Sequence, residues 1–102
     1  MTGKENETVT IDRELEYLIP DYLDSRKKDA AAIMGALPHE DFESIRIMGH
    51  NMKGTGGGYG FEAISEIGEE IEKAAISRDA GTIERHAGEL MDYIGSVAVR
   101  YV

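Results

Sequence analysis

The apolar residues of this chain recur at intervals of three and four, and short polar breaks cut the pattern into segments of helical length. Phe61, Ile64, Ile67, Gly68, Ile71 and Ala75 form one stripe, and Ile83, Ala87, Leu90, Ile94, Val97 and Tyr101 form another. At about 100° per residue each set falls on one side of a helix, so each segment must bury that side against something else. No stretch shows the period of a strand, and the chain reads as all-α.

The breaks set the boundaries. Residues 1–10 are polar and aperiodic, a flexible arm ahead of a domain spanning 11–102. Ile11, Leu15, Leu18 and Ile19 supply one or two apolar turns, a short helix before Pro20. Proline suits the first turn of a new helix and disfavours helical backbone at Ile19 before it. The helix from Pro20 carries Tyr22, Leu23, Ala30, Ile33, Met34 and Leu37 inward, with Arg26, Lys27 and Lys28 on the solvent side, and Pro38 stops it.

Asp41 is placed to cap the next helix, with Glu43 in its first turn. Its buried stripe is Ile45, Gly49 and Met52, with Met48 at the edge, and it ends in a glycine run. A further helix begins near Gly60, Ser77-Arg78-Asp79 makes a turn, and Asp79 caps the last helix. The connections are short, so the expected architecture is an antiparallel up-and-down four-helix bundle with a short additional N-terminal helix.

At 102 residues and 41% hydrophobic, the chain can build one modest core. The four stripes are those that one bundle consumes, which predicts a monomer. A formal charge of −9 argues against nucleic acid or an anionic membrane surface as partner. There is no cysteine, hence no disulfide framework, thiolate chemistry or cysteine zinc site. No apolar run approaches the roughly 18 residues of a membrane span, and the polar N-terminus lacks a signal-peptide core, so a cytoplasmic home is expected.

The chemistry concentrates in His50-Asn51-Met52-Lys53-Gly54-Thr55-Gly56-Gly57-Gly58-Tyr59-Gly60-Phe61. On the helical wheel His50, Lys53, Gly54 and Gly57 lie roughly 90 to 170° from the buried stripe, so they share the outward side. A wet imidazole is largely neutral at pH 7 and offers a lone pair as nucleophile. Exposed glycine inside a helix costs about 1 kcal/mol relative to alanine. Gly54 and Gly57 either end the helix or clear side chains from around the imidazole, so that a partner can approach. Ile47, also outward, is either a boundary core residue or an apolar docking contact.

Other candidates carry less. His39 sits in a turn after Pro38 and His86 lies about 60° off its stripe; no pair of histidines has metal-ligand spacing. The glycine run lacks P-loop and Rossmann order, and nothing in the chain is built to bind ATP. By spacing alone Lys53 is an ordinary lysine and Glu72 one acid among Glu62, Glu66, Glu69 and Glu70, though Glu72 falls at a groove edge of its helix.

His50-x-x-Lys53-Gly54, followed by Gly57, Gly60 and Phe61, resembles the signature of histidine-containing phosphotransfer (HPt) domains, closest to the form in chemotaxis-type histidine kinases. The arrangement from Pro20 through Asp41, His50, Gly60 and Asp79 is similar over about 80 residues. It departs from the family at Thr55, where Ser or Ala is common, and at Gly58, where a side chain is usual.

The resemblance implies a four-helix fold and a phosphorelay intermediate of two-component signal transduction. His50 would accept a phosphoryl group on Nε2, Lys53 would place its ammonium near that group, and Glu72 would accept from Nδ1–H and orient the ring. The chain would be a phosphocarrier and not a kinase, exchanging the group with an aspartate of a response-regulator receiver domain or with a hybrid histidine kinase. No cofactor is expected on this chain, since the receiver supplies the Mg²⁺. Ile47, Gly54 and Gly57 would lie on the docking face. The alternative is a non-catalytic helical interaction module that binds a partner on the same glycine-lined face.

Overall fold

The computed structural model describes residues 8–102. Four α-helices dominate: α1 (Ile19–Ala36), α2 (Phe42–Thr55), α3 (Glu62–Ile76) and α4 (Ala80–Ser96). α2 packs along α3, α3 against α4, and α1 against both α4 and α2. They enclose one core in which Ile33, Ile45, Met52, Phe61, Ile64, Ile71, Ile83 and Leu90 are fully buried. Among the described residues, no helix is long and apolar enough to cross a membrane.

The helix starts follow local chemistry. Asp41 accepts hydrogen bonds from the Ser44 N–H at 3.2 Å and the Ser44 hydroxyl at 2.7 Å, and Asp79 does the same for Thr82 at 3.2 and 2.7 Å. These bonds satisfy amides that the first helical turn leaves without partners. They also hold both carboxyls below the usual aspartate value, the hydroxyl contact being the larger cause in each. α1 ends at Ala36 and Leu37–His39 form a 3-10 turn around Pro38.

Several expectations need correction. The arm assigned to residues 1–10 extends too far: residues 1–7 lie outside the described residues, but Thr8–Ile11 form a strand, β1. It pairs in parallel with β2 (Ala98–Tyr101), with Thr8 opposite Ala98 and Ile11 opposite Tyr101. The chain is therefore mostly helical but carries a two-stranded sheet, and the helical stripe does not continue through Val97 and Tyr101. α4 stops at Ser96, whose hydroxyl bonds back to the Asp92 carbonyl, and Val97 is already extended at ψ 133°. Gly95 and Ser96 are poor helix formers, while Thr8–Ile11, β-branched at all four positions, suits a pleated edge.

The apolar turns before Pro20 form a 3-10 helix, Arg13–Leu18, started by Asp12 accepting the Glu14 N–H at 2.9 Å. Ile19 is helical despite the proline that follows it, with φ −67° and ψ −46°. Burial of its side chain to 1% exposure outweighs that local preference. Met34 is 37% exposed and not part of the core, because Ile19, Tyr22, Ala30 and Ile33 already fill the side that α1 turns inward. Lys27 and Lys28 are exposed as expected. Arg26 is half-buried, its guanidinium 4.7 Å over the Tyr22 ring and its Nε 2.9 Å from Asp29.

Candidate functional site

The site is built on a close approach of two helices. A β-carbon on Gly49 would lie 2.8 Å from the Glu72 amide nitrogen and 2.9 Å from the Gly68 carbonyl oxygen. One on Gly68 would lie 2.6 Å from the Lys53 amide nitrogen and 2.7 Å from the Met52 β-carbon. Only glycine at both positions lets α2 and α3 meet backbone to backbone. His50 follows Gly49 on α2, and Glu72 stands one turn beyond Gly68 on α3. The contact thus carries the Glu72 carboxylate to the imidazole, with Oε2 3.0 Å from His50 Nδ1.

The two side chains differ in exposure: His50 is 63% exposed and Glu72 only 14%. Burial pushes the Glu72 carboxyl up, but the hydrogen bond from His50 and the charge of Lys53 outweigh it, and the net shift is downward. Glu72 is therefore ionised at neutral pH and can only accept. That fixes the proton on Nδ1, which donates to Glu72, and in the neutral ring leaves the lone pair on Nε2. Lys53 Nζ lies 3.5 Å from the other carboxylate oxygen of Glu72. In that neutral form a well-exposed ring with its tautomer fixed and a cation close by is equipped to attack an anionic electrophile.

The glycine run has more than one use. α2 remains helical through Thr55, and Gly57–Tyr59 add a 3-10 turn that ends at Gly60, with φ 98°. Gly56 is buried: a β-carbon there would sit 2.6 Å from the Ser65 amide nitrogen. Gly54 is open, with nothing within 4 Å of its β-position, as is Gly58. Gly57 is half-buried and faces the Glu62 carboxylate, 3.0 Å from where a β-carbon would stand, so it is less open than the helical wheel implies. Ile47 is 46% exposed.

Of the residues singled out by the sequence, His50, Lys53 and Glu72 are brought together. Ile47 and Gly54 are exposed on the same helix. His39 is exposed in the turn after α1, and His86 pairs with Glu89 on its own helix at 2.8 Å. Among the described residues, no group of three or more acids or histidines is placed to hold a metal ion.

Sequence reasoning missed two contributors. Ser65 Oγ accepts the Gly57 N–H at 2.7 Å and donates to the Lys53 carbonyl at 3.0 Å, tying the end of α2 to α3. Gly49 and Gly68 each stood out on a buried stripe, but their contact was not drawn. A glycine in the middle of each of two neighbouring stripes is the signal that such a crossing leaves. No protein-family model, curated protein or solved structure matches this chain.

Proposed function

We propose that this chain is a phosphorelay intermediate of two-component signalling, an HPt-type phosphocarrier whose acceptor is His50. The observation that carries it is the 3.0 Å bond from Nδ1 of a His50 ring that is 63% exposed to an ionised, largely buried Glu72, whose other oxygen lies 3.5 Å from Lys53 Nζ. On this reading the four helices form an antiparallel up-and-down bundle of a cytoplasmic protein. The four-way helix packing is compatible with that arrangement.

Transfer begins with a phosphoaspartate of a receiver domain. The Nε2 lone pair attacks phosphorus in line, the Nε2–P bond forms, and the aspartyl O–P bond breaks to return the carboxylate. The ring then carries positive charge, and its Nδ1 proton stays against Glu72. Before transfer Glu72 orients the ring; afterwards its negative charge lies close enough to the phosphoryl group to need Lys53 as a counterweight. The Mg²⁺ of such a reaction belongs to the receiver's acidic pocket. The reverse sequence passes the group onward, and the chain itself needs no ATP site.

The test is to mix the protein with phosphorylated receiver domains and Mg²⁺ and follow label onto wild type and His50→Gln. Acid-labile, base-stable label on wild type alone is expected. Partner binding that survives His50→Gln with the biological output intact would instead favour a docking module, for which exposed Ile47 and open Gly54, on one side of α2, are the supporting feature.

A further inference from the structure

One turn before His50 on α2, Arg46 makes a two-pronged contact with Glu43. Its Nε lies 3.1 Å from Oε1 and its Nη2 2.7 Å from Oε2. At about 100° per residue, Arg46 and Lys53 fall on the same flank of α2 as His50, the flank that meets Glu72. Arg46 therefore lies to the N-terminal side of the imidazole and Lys53 to its C-terminal side. Helical side chains lean toward the N-terminus of their helix, so the His50 ring covers the turn that holds Arg46 and Ile47. The hydrogen bond and charge of Glu43 raise the Arg46 guanidinium above its ordinary value, and the Glu72 carboxylate adds a smaller contribution in the same direction.

We infer that Arg46 is a second cation for a phosphoryl group on His50, held in reserve by Glu43 until that group arrives. The inference rests on the phosphocarrier reading of His50. A phosphoryl group on Nε2 presents close to two negative charges over three oxygens, against the single charge of Glu43. The guanidinium fork that now spans the two oxygens of Glu43 fits two phosphoryl oxygens equally well. What it gives up is weakly held, because the Arg46 and Glu43 side chains are 37% and 69% exposed. Lys53, a point charge shared with Glu72 at 3.5 Å, cannot supply that bidentate contact. With Arg46 turned inward, the dianion lies between cations on both sides while Glu72 keeps its hold on Nδ1.

Phosphoramidate tests this without a partner protein: its N–P bond breaks, ammonia leaves, and the phosphoryl group passes to Nε2 of His50. Two signals are read, the ¹⁵N–¹H resonance of Arg46 Nε and the pKa of the phosphoryl group from a ³¹P titration. Loading should move the Arg46 resonance in wild type and leave it unmoved in His50→Gln. Arg46→Gln should raise the phosphoryl pKa by about half a unit, the effect of removing one charge several ångströms away in a wet site. Glu43→Gln should lower it, by freeing Arg46. A loaded His50 whose ³¹P titration is the same in Arg46→Gln and wild type, with an unmoved Arg46 resonance, overturns the role of Arg46 and leaves the phosphocarrier reading standing. Failure of His50 to take label from either phosphoramidate or any receiver overturns both.

Discussion

Gly68→Ala perturbs the site without changing any of its functional side chains. The new β-carbon would stand 2.6 Å from the Lys53 amide nitrogen, 2.7 Å from the Met52 β-carbon and 2.8 Å from the Gly49 carbonyl oxygen. These atoms belong to backbone or to a β-carbon, so no flexible side chain can yield. Restoring the 3.4 Å of ordinary contact separates α2 and α3 by about 0.8 Å. Applied along the 3.0 Å bond between His50 and Glu72, that displacement gives about 3.8 Å, beyond hydrogen-bond range.

Two energies follow. Overpacking costs about 1 to 3 kcal/mol, and replacing a helical glycine by alanine returns about 1, so the fold should lose about 1 kcal/mol and several degrees of Tm. A hydrogen bond to a charged acceptor is worth about 1.5 to 3 kcal/mol, and the exposure of His50 argues for the lower figure, a roughly tenfold loss in phosphoryl acceptance. The assays are urea denaturation, the His50 tautomer by long-range ¹H–¹⁵N correlation, and the rate of label uptake. Gly54→Ala is the control: its β-position is open, so it should stabilise the helix by about 1 kcal/mol and leave the tautomer alone. An unchanged Nδ1–H tautomer and an unchanged uptake rate in folded Gly68→Ala would refute the claim that the glycine crossing sets the imidazole.

Three further outcomes are expected. Ile11→Ala, at a side chain only 2% exposed that packs over Gly60, should cost about 2 to 4 kcal/mol, read as a lower urea midpoint. Tyr22→Phe keeps the ring stack on Tyr59 at 4.3 Å but loses the hydroxyl bond to Thr55 at 3.0 Å, so stability should fall by about 1 kcal/mol with label uptake unaffected. Asp41, Asp79 and Glu72 hold fewer protons folded than unfolded, so their contribution is complete above the unfolded values of 3.8 and 4.5 and is lost as pH falls through the lower folded ones. Urea midpoints at pH 6 and pH 3 should therefore differ less in Asp41→Asn/Asp79→Asn than in wild type.

What could be read from the sequence was local. Asp41 and Asp79 announce their helices because a cap and its amide donors lie within three residues of each other. The inward sides of α2 and α3 follow from periodicity alone, since one helix turn decides which residues face the same way. Glu72 is different. Its spacing from His50 has no local meaning, and only a family resemblance distinguished it from the acids around it. The structure places it against the imidazole through a glycine contact that no single helix encodes. The same limit explains the strands: Thr8–Ile11 and Ala98–Tyr101 are each too short to establish a period, and what makes them strands is each other. Met34 shows a competing effect, because a residue of the right type at the right spacing was left outside once its neighbours had filled the available space.

The pairing of β1 with β2 joins positions ninety residues apart, from Thr8 and Ala98 to Ile11 and Tyr101. Closing a loop of that length from an open chain costs on the order of 4 kcal/mol in entropy, more than four residues of ladder return. The clasp must therefore wait for the helices to bring its halves together, and it forms last in refolding. In the native state it should be the first element to let go. Amides of Thr8–Ile11 should exchange with solvent through local opening, while those of α2 and α3 wait for the whole domain to unfold. The pair of strands is thus a latch on a domain already assembled, able to loosen without disturbing the imidazole.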